Sequence, residues 1–171
     1  MNSSLFDISS YISVHPISLN VAIAIFFAIA LLLLSAFASA SEIAFFSLSP
    51  VDVDALEPDK RPSDKLVQEL RDDNERTLAT ILITNNLVNV AIIMLCNYIF
   101  DSLLTFGVKW LQFLCVTILL TFLLLLFGEI APKVYSRKAP LQFCRRAANG
   151  VLFFRRLFWP IETILLKSGT F

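Results

Sequence analysis

Residues 16–42 read PISLNVAIAIFFAIALLLLSAFASASE, twenty-six uncharged positions before the first carboxylate, Glu42. About 20 apolar residues in helical form cross the hydrocarbon core of a bilayer, so this stretch is long enough to span one. Two more stretches match it: 24 uncharged positions from Thr77 to Phe100 and 19 from Trp110 to Gly128. Lipid offers no hydrogen bonds to the backbone, so segments of this length satisfy their own as helices. The expected fold class is therefore all-α integral membrane. Its transmembrane domain, 1–138, carries three transmembrane helices at about 17–45, 77–100 and 108–129, and amphipathic juxtamembrane helices follow over 139–171.

Composition agrees. The 171 residues are 57% hydrophobic and only 16% charged, against about 25% charged in a soluble domain. Fourteen basic residues balance fourteen acidic ones, which lacks the basic excess a nucleic-acid binder needs. Cys96, Cys115 and Cys144 are too far apart for a zinc motif or a disulfide framework; Cys96 and Cys115 read as packing residues. No Lys or Arg precedes the first span, and that span is too long for the apolar region of a cleavable signal.

The distribution of basic residues sets the expected topology. Five lie between the first two spans (Lys60, Arg61, Lys65, Arg71, Arg76) and eight follow the third, whereas Lys109 alone lies between the second and third. This predicts an N-terminus outside and a C-terminus in the cytoplasm. The connection from Ser49 to Glu75 holds nine of the fourteen acids and reads mainly as a solvated polar connector. Within it, Ser63 is positioned to cap a short helix with an apolar edge at Leu66, Val67 and Leu70. Beyond Pro140, arginines alternate with Val151, Phe154, Leu157, Phe158 and Trp159 in the pattern of a helix lying at the headgroup boundary, with Pro160 as the expected break.

The spans contain polar residues where these are costly. The first ends in Ser35, Ser39, Ser41 and Glu42, and the second carries Asn85, Asn86, Asn89 and Asn97. The third closes with Gly128-Glu129-Ile130-Ala131-Pro132-Lys133. Asn85, Asn86 and Asn89, three and four apart, share a helix face. Pro132 has no N–H to give the carbonyl four residues back, that of Gly128. Hydroxyl, amide, carbonyl and carboxylate oxygens at one depth suit a hard cation such as Mg²⁺, Ca²⁺ or Na⁺. The competing reading is that the serines and asparagines only bond helices together. Glu42 reads as a border residue, Asn97 as an interface residue, and His15 lies on the far side of the bilayer.

Three segments together resemble a known family: Ser39-Ala40-Ser41-Glu42-Ile43-Ala44-Phe45-Phe46-Ser47-Leu48-Ser49-Pro50, Asn85-Asn86-Leu87-Val88-Asn89-Val90, and the Gly128 to Lys133 motif. Their order and spacing are similar to the transmembrane domain of the cyclin M / CorC magnesium and cobalt transport proteins. The nearest likeness is to the bacterial hemolysin-related branch, GldE-like gliding-motility proteins included. The resemblance implies a homodimer in the bacterial inner membrane, a juxtamembrane helical belt, and a CBS-pair domain following beyond Phe171. It further implies a Mg²⁺ ion, with Co²⁺ as an alternative, held as substrate by Ser39, Ser41, Asn86, Asn89, the Gly128 carbonyl and Glu129. Asn85 and Ala40 stand where the family commonly has glycine.

The function expected is divalent-cation efflux by alternating access, with Na⁺ as the coupling ion. The alternative is a non-transporting membrane scaffold for a secretion or gliding-motility assembly. No nucleophile–base constellation or glycine-rich phosphate loop points to an enzyme.

Overall fold

A computed structural model describes residues 12–14, 16–106 and 109–168; His15 lies outside the described residues. Three of its helices are long and apolar enough to cross a membrane: Leu19–Phe46, Asn74–Leu103 and Gln112–Arg137. The first, α1 (Leu19–Phe46), is capped by Ser18, whose hydroxyl accepts from the Val21 N–H. Two short helices follow, α2 (Pro50–Asp54) and α3 (Pro62–Asp72), and then the second span, α4 (Asn74–Leu103). The third span is composite. It begins as α5 (Lys109–Leu123), passes through a π-helical segment at Leu124–Ile130 and continues as α6 (Ala131–Arg137). It thus runs eight residues past the expected end at 129. Finally α7 (Pro140–Ser168) runs as one helix with Pro160 inside it, so the expected break does not occur. A short antiparallel pairing joins β1 (Ile12–Val14) to β2 (Leu104–Phe106), with Ser13 opposite Thr105. Nothing in the periodicity of three-residue strands distinguishes them from loop.

The central pairing is α1 against α4, and α6, α7 and the π-helical segment also pack on α1. Apolar contact is concentrated at the two ends of this pair. Val21, Ala24 and Ile99 cluster at the end near β1 and β2. Ala44, Phe45, Val67, Leu70, Ile81, Ala147, Ala148 and Val151 cluster at the other, the linker end. Between them, side chains such as Phe26, Phe27, Leu33, Phe113, Ile118 and Phe122 face outward, the surface a bilayer would cover. At Gly150 α7 comes so close to α1 that an added Cβ would lie 2.7 Å from the Phe37 ring.

The connection between the first two spans is not the solvated connector its composition suggests. Ser49 and Asp52 form a reciprocal capping box on α2, each side chain accepting from the other's backbone N–H. Helix α3 starts on Pro62 rather than on a Ser63 cap, because proline at the first helical position presets φ and wastes no N–H. Val67 and Leu70 are fully buried, and so is Asp64. Arg145 of α7 grips Asp64 with two parallel bonds, Nε to Oδ1 at 2.6 Å and Nη2 to Oδ2 at 2.9 Å. Its Nη2 also reaches the Ala55 carbonyl at 3.2 Å, while Asp64 Oδ2 accepts the Glu57 N–H at 3.0 Å. A second pair joins Arg155 to Asp73, where α3 bends into α4. The arginines of α7 therefore divide between protein and surroundings, which a one-faced reading of that helix misses.

The Arg145 guanidinium holds the Asp64 carboxyl below the usual carboxylate range, outweighing the opposing effect of burial, and the Glu57 N–H assists. Removing one partner of a buried pair costs about 3–5 kcal/mol, so Arg145→Ala is expected to lower the thermal stability of the detergent-solubilised chain by that order. A depressed folded-state pKa stabilises above the unfolded value of about 3.9 and ceases to do so as pH falls toward the folded value. The stability gap between wild type and Arg145→Ala should therefore be full at neutral pH and close as the pH drops below about 4; thermal unfolding at stepped pH measures it.

Candidate cation site

Ser35 and Ser39 are one helical turn apart on α1, and Asn85 and Asn89 are one turn apart on α4. Four-residue spacing places each pair on one face, and the α1–α4 packing sets the faces against each other. Ser35 and Ser39 are fully buried, Asn85 nearly so, and Asn89 is half-buried. The Ser35 hydroxyl lies 2.7 Å from Asn89 Oδ1 and 3.1 Å from Asn85 Oδ1, and the Ser39 hydroxyl lies 3.4 Å from Asn85 Oδ1. Four oxygens from two spans thus converge in the stretch between the apolar clusters. A hydroxyl carries one hydrogen, so Ser35 cannot fully satisfy both amide oxygens at once. With Ser35 donating to Asn89 and Ser39 to Asn85, each amide oxygen takes one hydrogen from α1 and keeps a second lone pair.

The third span completes the wall. Gly128 is buried against Ser35, where an added Cβ would sit 3.1 Å from the hydroxyl oxygen. The absence of a side chain is what lets this helix approach. Gly128 lies in the π-helical segment, a wider winding found mostly as single turns at functional positions. The last bond of that register runs from the Ala131 N–H to the Leu126 carbonyl. Position 132 is proline and has no hydrogen to give, so neither the π register nor the α-helical bond to the Gly128 carbonyl can continue through it. Glu129, half-buried, follows immediately, and among the described residues no cation pairs with it. Glu42 does have a partner: its carboxylate lies 3.0 Å from Lys133 Nζ, tying the end of α1 to α6.

Of the residues expected from the sequence, the fold brings Ser39, Asn89 and Gly128 together, with Glu129 next in chain to Gly128. Two lie elsewhere. Asn86 is exposed on the outer face of α4. Ser41, 200° around α1 from Ser39 at 100° per residue, donates to the Phe37 carbonyl at 2.7 Å. It lines a separate small cavity with Thr80, Thr84 and Phe154. Two residues at the cluster were outside the expected set, Ser35 and Asn85. The signal for both was the matched four-residue spacing, Ser35 to Ser39 and Asn85 to Asn89. Among the described residues there is no group of three His, Cys, Asp or Glu able to hold a metal, so the oxygens here are mostly neutral.

Fold and site together define a polytopic helical membrane domain with an oxygen-lined polar cluster inside its spans. The family model of the cyclin M transmembrane N-terminal domain matches residues 26–171, and the chain belongs to that family. It is also similar to a UPF0053 protein of Synechocystis, 29% identical over 137 residues, which cover 78% of this chain and 38% of that protein. The chain thus spans less than half the length of this relative.

Two substitutions test the geometry. Asn85→Ala removes the acceptor shared by both serines and is expected to destabilise the chain by roughly 0.6–2 kcal/mol, while Asn86→Ala changes the melting temperature little. Gly128→Ala forces its methyl group against Ser35 and should cost about 1–3 kcal/mol as overpacking. Thermal unfolding in detergent reads both.

Proposed function

We propose that this chain is the ion-translocating membrane domain of a divalent-cation transporter whose substrate is Mg²⁺, bound by Ser35, Ser39, Asn85, Asn89, the Gly128 carbonyl and Glu129. The observation that carries this reading is the convergence of four oxygens within 2.7–3.4 Å inside the spans. Mg²⁺ binds oxygen at about 2.0–2.1 Å in an octahedron, so adjacent ligands sit about 2.9 Å apart; Ca²⁺, at about 2.3–2.6 Å, spreads them to roughly 3.3–3.7 Å. Two of the observed spacings, 2.7 and 3.1 Å, lie near the Mg²⁺ value and the third, 3.4 Å, lies in the Ca²⁺ range. Turning the serine hydrogens outward frees lone pairs for the ion without moving the helices, and Glu129 supplies charge. A mostly neutral, hard-oxygen set also disfavours softer metals, which leaves Co²⁺ as a weaker substrate.

Membership of the cyclin M family and the wider CorC-type group supports divalent-cation transport as the activity. The direction would be efflux by alternating access with Na⁺ as the coupling ion, and no catalytic reaction is involved. Thirteen of the fourteen basic residues belong to the segments at the linker end, which supports a cytoplasmic location for that end, in a bacterial inner membrane. Exposed Asn86, Val90, Ile93 and Asn97 line one face of α4. Amides facing lipid are costly without partners, which favours a second copy packing there as a homodimer. Beyond this chain a cytoplasmic CBS-pair domain would complete the protein.

A second reading is a membrane scaffold for a secretion or gliding-motility assembly. It is favoured by the fact that the serine and asparagine oxygens already bond one another. Proteoliposomes separate the two. Transport predicts Mg²⁺ flux, lost in Asn89→Ala and Glu129→Gln with folding intact, and Mg²⁺-dependent thermal stabilisation of wild type but not of Asn85→Ala. Absence of both effects in well-folded protein supports the scaffold.

A further inference from the structure

Among the described side chains, the basic residues from Lys133 onward divide into two sets. Lys133, Arg145 and Arg155 are paired with Glu42, Asp64 and Asp73. Among the described residues no carboxylate pairs with Arg137, Lys138, Arg146 or Arg156, and all four are exposed. Two of these converge. At the elbow between α6 and α7, Lys138 and Arg146 line a recess of about 190 Å³ with Gln142, Tyr135 and Phe143, and no acidic residue lines it. Two cations on one concave wall without a counter-charge focus a positive potential there, which attracts an anion from outside the chain.

We propose that this recess is a binding site for the phosphate headgroup of an anionic phospholipid. Lys138 and Arg146 neutralise the phosphate, and the Gln142 side-chain amide donates to it. The recess also opens at the first turns of α7, whose positive end adds to the attraction.

Position argues for a lipid rather than a free anion. Helix α6 is the continuation of the third membrane span, which ends at Arg137, one residue before Lys138. Val134 and Tyr135 beside the recess are 56% and 66% exposed, so an acyl chain leaving the phosphate meets apolar side chains at once. Along α7 the outward residues Phe153 and Leu157, one turn apart, continue that apolar strip, as a helix lying in the headgroup plane does. Basic pockets at the end of a transmembrane helix are a recurring mode of headgroup recognition.

The test is native mass spectrometry of the whole chain released from mixed micelles of phosphatidylglycerol and phosphatidylcholine. Wild type is expected to retain phosphatidylglycerol in preference. Lys138→Gln with Arg146→Gln should weaken that preference roughly thirtyfold, at about fivefold per basic residue. Lys138→Arg with Arg146→Lys should keep it. Arg137→Gln with Arg156→Gln, which removes the same two charges outside the recess, should change it little. All these side chains are exposed, so the fold should survive, and a monodisperse elution profile checks it. No preference in wild type overturns the proposal, as does an equal loss in Arg137→Gln with Arg156→Gln, which would mean a diffuse surface field. Displacement of phosphatidylglycerol by inorganic phosphate would assign the recess to a free anion and overturn the lipid assignment.

Discussion

Asn85 and Asn89 place two amides on the inward face of a membrane span, where an unsatisfied polar group costs several kcal/mol, and the pairing of the first two spans follows from meeting that requirement. Their oxygens must find donors within the protein, and Ser35 and Ser39 supply them from α1. Aliphatic packing alone leaves two helices free to rotate or slide, because lipid contacts are as apolar as helix contacts. The serine–asparagine bonds remove that freedom by fixing which faces of α1 and α4 meet. Once this pair is set, Gly128 is what lets the third span close against Ser35.

The linker end obeys a related constraint in a wetter setting. Asp64 is buried, and burial of a lone carboxylate is unfavourable unless a cation and further donors compensate it. Arg145 supplies both at once with its planar fork, and the Glu57 N–H fills a remaining lone pair. The linker is thereby pinned to α7, whose other face touches α1 at Gly150 and Phe37. Helices α1 and α4 hold the polar cluster, while α7 packs on both of them and carries the linker clamp through Arg145, with Arg155 adding a tie to Asp73. Movement of α7 relative to the spans would have to break that clamp and the close approach of Gly150 to Phe37.

Much of the fold was legible. Three uncharged stretches of spanning length, and the clustering of basic residues on two segments, needed only the sequence. The polar residues of the cluster were visible as a group, as was the carbonyl that Pro132 leaves without its α-helical bond. Which of the adjacent asparagines faces inward was not, since a shift of one residue rotates a side chain by 100° and only the partner helix sets the phase. The π-helical winding before Pro132 left no periodic signature either. It adds one residue within an apolar run that looks the same in either register.

The sequence by itself determined how many times the chain crosses the bilayer, because length and apolarity are local properties of a segment. It also determined that oxygen-bearing polar side chains would lie within the spans. Tertiary structure alone decided that Ser35 and Asn85 join the cluster while Ser41 and Asn86 turn away, and that an acidic linker docks on an arginine 81 residues distant. Those outcomes depend on the relative rotation of packed helices and on charges meeting across the fold, and neither is encoded in the spacing of any one segment.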